Sequence, residues 1–393
     1  MRFGEIAELR RQLVRPDKFK EYCKYLGYDS IAPGSLHITQ WDTPKAVSSA
    51  KLAFFPNDTI YGRLRPYFRK VVWTGSSYGI CSSDFWVFQP KNGTDPRFLF
   101  YVAALPEFTN LASASATGTR MPRANWDTIS EYEIADFTYE QQMAIGDLLG
   151  RLDDKIDFNH RRRVLCRKLG LAITDYLIRN TSCVPLSYYA ESISRGVTPK
   201  YYKGHNATPI CVLNQRCIRD GWVSLSSARL MLPRRREKKS AIAEFDDLLV
   251  NSTGQGTLGR VGRWSYREPV YVDGHVTVVK ADRQRISPVL LPYLVFPLQS
   301  EIEQMAEGST GQTELSPSSL GSLQVPLLTL EEQKTVVEQL STLEEMAHHC
   351  SIETRMLAEL RDTLLPELMS GRMRVDEAGR LVADAFGKES VDD

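Results

Sequence analysis

The feature that most constrains the fold of this 393-residue chain is a long internal repeat. Residues 138–179 align without a gap with residues 329–370, at a constant offset of 191 residues. Identical residues recur at the start of the repeat and at its leucine positions: Thr138 and Thr329, Glu140 and Glu331, Gln142 and Gln333, Leu149 and Leu340, Leu152 and Leu343, Leu169 and Leu360, Leu177 and Leu368. An acidic pair is also retained, since Asp153-Asp154 aligns with Glu344-Glu345. The repeat predicts a chain built from two related halves.

Each copy of the repeat begins with the sequence features of a helix N-terminus. Thr138-x-x-Gln141 and Thr329-x-x-Glu332 are capping boxes, in which the hydroxyl and the third side chain satisfy free backbone N–H groups. A helix of about 40 residues is roughly 60 Å long, much longer than the usual helix of a compact domain. Such a helix needs a partner along its length, and we expect each copy to be the partner of the other. The alternative is a pair of unrelated amphipathic helices buried in separate cores.

Apolar residues recur at intervals of three and four positions along both copies, as they do in the seam of a coiled coil. The predicted seam residues are Ile145, Leu149, Leu152, Ile156, Leu165 and Leu169 in the first copy, and Val336, Leu340, Leu343 and Leu360 in the second. The pattern weakens between Asn159 and Arg163 and resumes at Leu165. Pro366 is expected to end or kink the second helix, because it has no N–H and its ring clashes with the preceding turn.

The segments before each helix contain short β-branched and aromatic runs that are separated by glycine, proline, asparagine and aspartate. The predicted strands are Val71–Trp73, Phe85–Phe88, Leu248–Val250, Val270–Val272 and Val276–Val279. We therefore expect an α+β protein. Its predicted segments are a mixed α/β domain at 1–137, a long helix at 138–180, a second mixed domain at 181–328, a second long helix at 329–370 and a tail at 371–393.

Composition favours a folded, soluble protein, with 42% apolar and 25% charged residues. No apolar run is long enough for a membrane span, and the first residues lack the apolar core of a signal peptide. We therefore expect a cytoplasmic protein without membrane contact. Seven cysteines without a Cys-x-x-Cys pair favour buried thiols over a disulfide framework or a zinc ribbon.

The formal net charge of +1 conceals an uneven distribution of charge along the chain. Lysine and arginine exceed aspartate and glutamate by three in residues 1–137, by two in 138–180 and by four in 181–328. In residues 329–393 the acidic residues exceed the basic ones by eight. A net charge near zero therefore does not exclude a polyanionic partner for the first 328 residues.

Several motifs, in their order along the chain, resemble one known family. Gly62–Lys70 and Gly79–Phe85 are similar to the first target-recognition domain of the specificity subunits of type I restriction–modification systems. Gly196–Pro199 and Asp247–Val261 are similar to the second such domain, and Leu364–Val375 is similar to the C-terminal motif of these subunits. The resemblance extends over nearly the whole chain, to about Val375.

The resemblance implies a subunit that reads an asymmetric, bipartite site in double-stranded DNA, one half-site per recognition domain. Two antiparallel helices would form a coiled-coil spacer between the domains, in a pseudo-twofold tandem repeat. The helices would also dock two methyltransferase (modification) subunits. The chain would bind no cofactor of its own, because S-adenosylmethionine, ATP and Mg²⁺ belong to these subunits and to the restriction/translocase subunits.

Two other classes of function are possible alternatives: a DNA-modifying enzyme that acts alone, and a coiled-coil adaptor with no role in DNA binding. The chain lacks the Asn/Asp-Pro-Pro-Tyr/Phe motif that holds a flipped adenine. Gly254–Gly259 lacks the Lys-Ser/Thr of a phosphate-binding loop and is more typical of a tight turn. An adaptor would not need a strand-rich domain before each helix.

Candidate DNA contacts are basic residues that lie close together in the sequence. The resemblance and the charge pattern select Arg63, Arg65, Arg69, Lys70, Arg120 and Arg123 in the first domain, and Lys200, Lys203, Arg234, Arg235, Arg236, Lys238, Lys239 and Gln312 in the second. A basic run is often only a solvated loop, and the motif around Arg63 also suits fold maintenance or phosphate contact. Glu237 with Asp220 would make a poor nuclease metal site, so no metal site is predicted.

Overall fold

The computed structural model describes residues 1–22, 24–38, 41–44, 47–179, 181–204, 208–234, 236, 238–306 and 314–387. The contacts divide the chain into two compact units. Unit one consists of Met1–His160 and Ile352–Asp393, and unit two consists of Arg161–Ser351. The predicted long helices are present as α5 (Tyr139–Ile178) and α9 (Leu330–Met369), and both contribute to each unit.

The first part of unit one folds into two sheets with short helices beside them. The helices are α1 (Phe3–Ile6), α2 (Pro96–Ala104), α3 (Pro106–Ala114) and α4 (Trp126–Ile129). The strands are β1 (Ala7–Leu9), β2 (Leu13–Val14), β3 (Tyr25–Leu26), β4 (Lys51–Phe54), β5 (Thr59–Gly62), β6 (Val71–Trp73), β7 (Gly79–Cys81) and β8 (Phe85–Pro90). One sheet has the order β1-β8-β5-β6 with antiparallel neighbours, and the other has the order β2-β4-β7-β3, in which β3 and β7 are parallel.

Unit two contains the remaining strands, which are β9 (Cys183–Pro185), β10 (Ala190–Arg195), β11 (Ile210–Leu213), β12 (Ile218–Arg219), β13 (Gly221–Val223), β14 (Arg229–Met231), β15 (Ile242–Ala243), β16 (Leu248–Asn251), β17 (Val261–Arg263), β18 (Val270–Val272), β19 (Val276–Ala281) and β20 (Gln324–Pro326). Its short helices are α6 (Leu291–Val295), α7 (Gln299–Gln304) and α8 (Pro317–Gly321). The sheets have the orders β10-β19-β16-β17-β13-β12, β14-β11-β18-β15 and β20-β9. All five predicted strands lie within these elements and those of unit one.

The two units share a pattern of strand pairing. The order β1-β8-β5-β6 of unit one corresponds to β10-β19-β16-β17 of unit two. In the smaller sheets, β4 pairs antiparallel with β7 and β7 pairs parallel with β3, just as β15 pairs antiparallel with β18 and β18 pairs parallel with β11. Two halves that differ in sequence therefore build their main sheets in the same order.

The starts of both long helices follow the capping boxes read from the sequence. Gln141 accepts from the backbone N–H of Thr138 at 2.9 Å and donates its own N–H to the Thr138 hydroxyl at 3.3 Å. Glu332 makes the same two contacts with Thr329, at 2.7 and 3.3 Å. The buried amides of the repeated glutamines then attach each helix to its unit, because Gln142 accepts from the Asp95 N–H at 3.1 Å and Gln333 accepts from the Ser287 N–H at 2.9 Å. These contacts hold the first turn of each helix in place.

The predicted seam residues differ in burial, and in α5 the predicted pattern fails beyond Ile156. Ile145, Leu149, Leu152 and Ile156 are buried, and so are Val336 and Leu340, whereas Leu343 and Leu360 are half-buried. Leu165 and Leu169 are 64% and 52% exposed, so they do not belong to the seam. The buried positions that follow Ile156 at intervals of three, seven, four and four are instead polar or small: Asn159, Cys166, Gly170 and Thr174. The leucines therefore pointed to the wrong face of the helix.

Segments of α5 and α9 pack side by side within the core of unit one. Asp153 contacts Arg361 at 2.6 Å, and Asn159 contacts Glu353 at 2.7 Å. Because the partner number falls as the first number rises, the two segments run antiparallel in this unit. In unit two, the cluster that contains Val336 and Leu340 also includes Leu171 and Leu177 of α5. Cores that are shared in this way exclude the alternative of two helices in separate cores.

The end of the chain differs from the sequence prediction. Helix α9 continues through Pro366 to Met369, and Gly371 with a φ of 72° follows it, so the proline does not end the helix. The segment expected to be a tail contains α10 (Val375–Gly387), whose Ala378 and Val382 are buried in the core of unit one. Two apolar residues four positions apart anchor one face of this helix.

Candidate nucleic-acid interface

Four of the predicted basic residues in unit one lie together, and we call Arg63, Arg65, Arg120 and Arg123 the arginine cluster. A β-bridge joins Leu64 to Arg123, which places the loop before α4 beside the end of β5. The backbone N–H of Arg65 donates to the Pro122 carbonyl at 2.7 Å, and its guanidinium donates to the Arg120 carbonyl at 3.3 Å. Two motifs about 55 residues apart in the sequence thus form one surface.

The arginine cluster has more positive charge than its protein partners neutralise. Arg123 is 41% exposed and pairs with Asp84 at 2.9 Å. Burial and the positive charge of Arg123 lower the pKa of the Arg63 guanidinium, and the charge of Asp84 offsets this only in part. The Nε atoms of Arg63 and Arg123 are buried, so they are not the atoms that would meet a ligand. The exposed side chains of Arg65 and Arg120 and the partly exposed side chain of Arg123 favour an anion with several acceptor oxygens.

An open groove of about 510 Å³ lies beside this pair of arginines. Arg63 and Arg123 line it together with Arg11 and with the aromatic side chains of Trp86 and Trp126. The guanidinium groups can bind a phosphodiester, and the half-buried ring of Trp126 offers an apolar surface in the same groove, whereas Trp86 is 6% exposed and belongs to the core.

Two predicted contacts of unit one, Arg69 and Lys70, are withdrawn because both side chains serve the fold. The guanidinium of Arg69 donates twice to the Ala104 carbonyl at the end of α2, at 3.1 and 2.8 Å. Lys70 is 5% exposed, and its ammonium donates to the Tyr28 carbonyl at 2.7 Å and lies 3.9 Å from the Tyr28 ring centroid. Both cations are thus bound to backbone carbonyls within the fold.

In unit two, two basic segments are brought next to each other by backbone pairing. Tyr201 bridges Met231, and the Leu232 N–H donates to the Lys200 carbonyl at 2.8 Å. The exposed basic residues of these segments form what we call the basic face: Lys200, Lys203, Arg229, Arg234, Arg236, Lys238 and Lys239. The predicted contacts Arg235 and Gln312 lie outside the described residues.

The side chains of the basic face differ in the contacts that fix their positions. Arg229 lies on strand β14, 4.9 Å from the ring centroid of Tyr201. Lys238 donates to the Arg195 carbonyl at 2.7 Å, and Arg234 donates to the Thr198 carbonyl at 3.5 Å. Arg229 was part of the basic run but was not among the predicted contacts; its place on a strand makes it the better-ordered cation.

Each unit also contains a buried carboxylate hub where a short helix packs against a long one. In unit one, Asp153 accepts from the Tyr101 hydroxyl at 2.6 Å and from Arg361 at 2.6 Å. In unit two, Glu344 accepts from the Tyr293 hydroxyl at 2.6 Å and from Arg263 at 2.7 Å. Burial and the adjacent carboxylate raise the pKa of both tyrosines, so their hydroxyls remain protonated donors.

The hubs were missed because a buried acid cannot be distinguished from an exposed one in a single sequence. A signal was nevertheless present. Asp153 and Glu344 occupy the same place in the repeat, and Tyr101 and Tyr293 lie 192 residues apart. An acid that is retained within an apolar seam indicates a paired, buried charge.

Comparisons with known proteins bear on both units. Residues 1–164 match the family described as type I restriction modification DNA specificity domain. These residues are therefore similar to a type I specificity domain. The predicted resemblance to type I specificity subunits is thereby confirmed, and the whole arginine cluster lies within the matched residues.

One relative and two solved structures extend the comparison. The type I restriction enzyme EcoDI specificity subunit of Escherichia coli is 31% identical over 144 residues, which are 34% of this chain; the match spans only 30% of that subunit's length. An S subunit of a type I restriction–modification system from M. genitalium has a TM-score of 0.53 at 17% identity and covers 94% of this chain and 95% of its own. An HsdS subunit from Thermoanaerobacter tengcongensis covers 95% and 96%, at 17% identity and a TM-score of 0.38.

These matches differ in what they support along the chain. The family match covers the part of unit one from Met1 to His160 and ends within α5 at residue 164, so nearly all of unit two lies beyond it. The M. genitalium structure supports the fold over the rest of the chain. Within the described residues there is no helix that could cross a membrane and no group of three potential metal ligands.

Proposed function

We propose that this chain is the DNA-reading subunit of a type I restriction–modification complex, and that each unit reads one half of an asymmetric bipartite site. The observation that carries the proposal is that two units with the same strand order present different basic surfaces, the arginine cluster and the basic face. Two units that share a strand order but differ in their basic surfaces favour two different half-sites. A homodimer, whose two surfaces are identical, would read a palindrome.

The long helices are proposed to act as a coiled-coil spacer within a pseudo-twofold tandem repeat. Support comes from the capping contacts and the carboxylate hubs, which recur at the same places in α5 and α9. A spacer held in this way would fix the distance between half-sites. The predicted boundaries at 137, 180, 328 and 370 remain a prediction. We also propose that the helices dock two methyltransferase subunits.

The chemistry is proposed to reside in partner subunits, and this chain is proposed to be non-catalytic. Methyl transfer from S-adenosylmethionine would belong to the modification subunits, and ATP- and Mg²⁺-dependent translocation and cleavage would belong to restriction subunits. The role proposed for this chain is to hold the DNA in one register by contacts to phosphates and base edges. The match to a DNA specificity domain favours this role over a stand-alone enzyme or an adaptor without DNA.

The proposed contacts fall into two groups. Lys200, Lys203, Lys238 and Lys239 are assigned to phosphates, since an ammonium is a flexible point charge. Bidentate guanine readout is reserved for arginines that a carboxylate or a ring holds in place, such as Arg123 and Arg229. Arg63, Arg65, Arg120, Arg234 and Arg236 complete the proposed interface.

The decisive experiment is to express the chain with its modification subunits and to map methylated adenines in the host genome. We expect one bipartite motif with two unlike halves at a fixed spacing. The purified chain alone should transfer no methyl group to DNA. Methylation by the chain alone would favour an enzyme, and an assembled complex with no preference among DNA sequences would favour an adaptor.

A further inference from the structure

The two units carry opposite charges at one equivalent position beside their main sheets. In unit one, Arg123 forms a β-bridge with Leu64, just after β5. In unit two, Glu314 forms a β-bridge with Thr253, just after β16. Strands β5 and β16 are equivalent in sheet order, and residues 123 and 314 are separated by the same 191 residues as the helix repeats. An arginine in one unit is therefore replaced by a glutamate in the other.

Glu314 pairs with a cation that borders the basic face. Its carboxylate pairs with Arg195, whose other terminal nitrogen donates to the Leu315 carbonyl at 2.6 Å. The Arg195 carbonyl in turn accepts from Lys238 of the basic face. Glu314 remains 58% exposed, so one side of the carboxylate is open to solvent. Beside it, the Thr253 hydroxyl lies 2.6 Å from Nδ1 of His275.

A carboxylate at a surface that binds DNA has an electrostatic cost, because it repels phosphates and cancels the attraction of nearby cations. The cost is offset where the carboxylate accepts a hydrogen bond from a base. In the major groove the available donors are the amino groups of cytosine N4 and adenine N6. Adenine also presents the acceptor N7 next to its amino group, and this lone pair repels a carboxylate. Cytosine presents no acceptor beside N4, so a glutamate favours cytosine.

We propose that Glu314 is a specificity-determining residue of unit two, which accepts a hydrogen bond from the amino group of a cytosine in the second half-site. The inference rests on the proposed function and names one base that unit two would read. Arg195 acts as a positioning residue, since it holds one carboxylate oxygen and leaves the other for DNA. The equivalent Arg123 offers donors and is suited to guanine, so the exchange of charge between the units accounts for half-sites that differ.

The test compares methylation maps of the assembled complex that contains the wild-type chain, Glu314→Gln or Glu314→Ala. Glutamine has the size of glutamate but pairs with adenine N6 and N7. We expect Glu314→Gln to shift one cytosine position of the second half-site toward adenine, by roughly tenfold in relative methylation rate. Glu314→Ala should accept several bases at that position. The first half-site should stay unchanged in both.

Glu331→Gln is the matched control, because Glu331 is an exposed carboxylate that pairs with Lys334 in the first turn of α9. It should leave every position unchanged. The inference is overturned if both Glu314 variants leave the second half-site unchanged. It is also overturned if methylation falls equally at all sites while the motif stays the same, because Glu314 would then serve only to hold Arg195 in place. A wild-type half-site without a cytosine overturns it as well. Failure of the proposed function is distinct, since the wild-type complex would then methylate no bipartite motif.

Discussion

The Tyr101 hydroxyl donates a 2.6 Å hydrogen bond to Asp153, and at the equivalent place in the other unit Tyr293 donates to Glu344 over the same distance. In both cases a tyrosine on a short helix, α2 or α6, meets an acid on a long helix. An arginine completes each hub, Arg361 in unit one and Arg263 in unit two. Two halves that differ in sequence thus have the same chemistry where a short helix packs against a long one.

Removal of the carboxylate of Glu344 should be strongly destabilising. Glu344→Ala leaves Arg263 buried without this partner, and loss of one member of a buried ion pair costs about 3–5 kcal/mol. Urea unfolding at pH 7 measures the change. Glu345→Ala is the control, because the neighbouring glutamate is exposed and should shift the free energy of unfolding by only about 0.5 kcal/mol. Equal effects of the two variants would contradict a structural role for the hub.

Acid should weaken unit one through Asp153. Burial alone would raise the pKa of this carboxylate, but the contact with His37 and the positive charge of Arg361 outweigh burial and lower it. A lowered folded-state pKa stabilises the fold above the ordinary pKa of aspartate, and this stabilisation is lost as the pH falls through the folded value. The difference in unfolding free energy between wild type and Asp153→Asn should therefore shrink from pH 7 to pH 3. A difference independent of pH would argue against the lowered pKa.

Arg120 and Lys70 should behave differently in DNA binding. Arg120 is exposed in the arginine cluster, so Arg120→Ala should weaken the binding of the assembled complex to all DNA sequences. The slope of log affinity against log salt should fall by about 0.9. Lys70→Ala should leave that slope unchanged and lower thermal stability, since this ammonium is bound within the fold. A smaller salt slope for Lys70→Ala than for the wild type would indicate that Lys70 does contact DNA.

The corrected seam predicts which leucines of α5 stabilise the protein. Leu149→Ala removes a fully buried side chain and should cost about 2–5 kcal/mol. Leu169→Ala removes a side chain that is 52% exposed and should cost less than about 1 kcal/mol. Thermal and urea unfolding of both variants measure the loss of unfolding free energy. Similar losses would mean that Leu169 lies in the seam after all.

The sequence predicted those features whose signal is local. The capping boxes at Thr138 and Thr329 and strands such as Val71–Trp73 follow from residues that are neighbours in the chain. The seam was misread beyond Ile156 because Asn159, Cys166 and Gly170 continue it without large apolar side chains. Packing partners distant in the sequence decide such positions, and one sequence does not reveal them.

The candidate site was predicted in outline and corrected in detail. Basic runs located the arginine cluster and the basic face, because charge density is visible in composition. The direction of each side chain was not visible, so Lys70 was grouped with Arg65 although one points inward and the other outward. Glu314 was passed over because a search for DNA contacts selects cations, whereas base edges also present donors that require an acceptor.

The contact between Asn159 and Glu353 bears on the register in which the two helix segments pair. A pair of helices with leucine at every seam position can slide by a heptad and still bury apolar surface. Here the Asn159 amide meets Glu353 at 2.7 Å, and Lys155 reaches the same carboxylate at 2.8 Å. A slipped pairing would leave the buried Asn159 and the largely buried Glu353 without these partners. The polar contacts thus favour one register of the two segments over slipped alternatives.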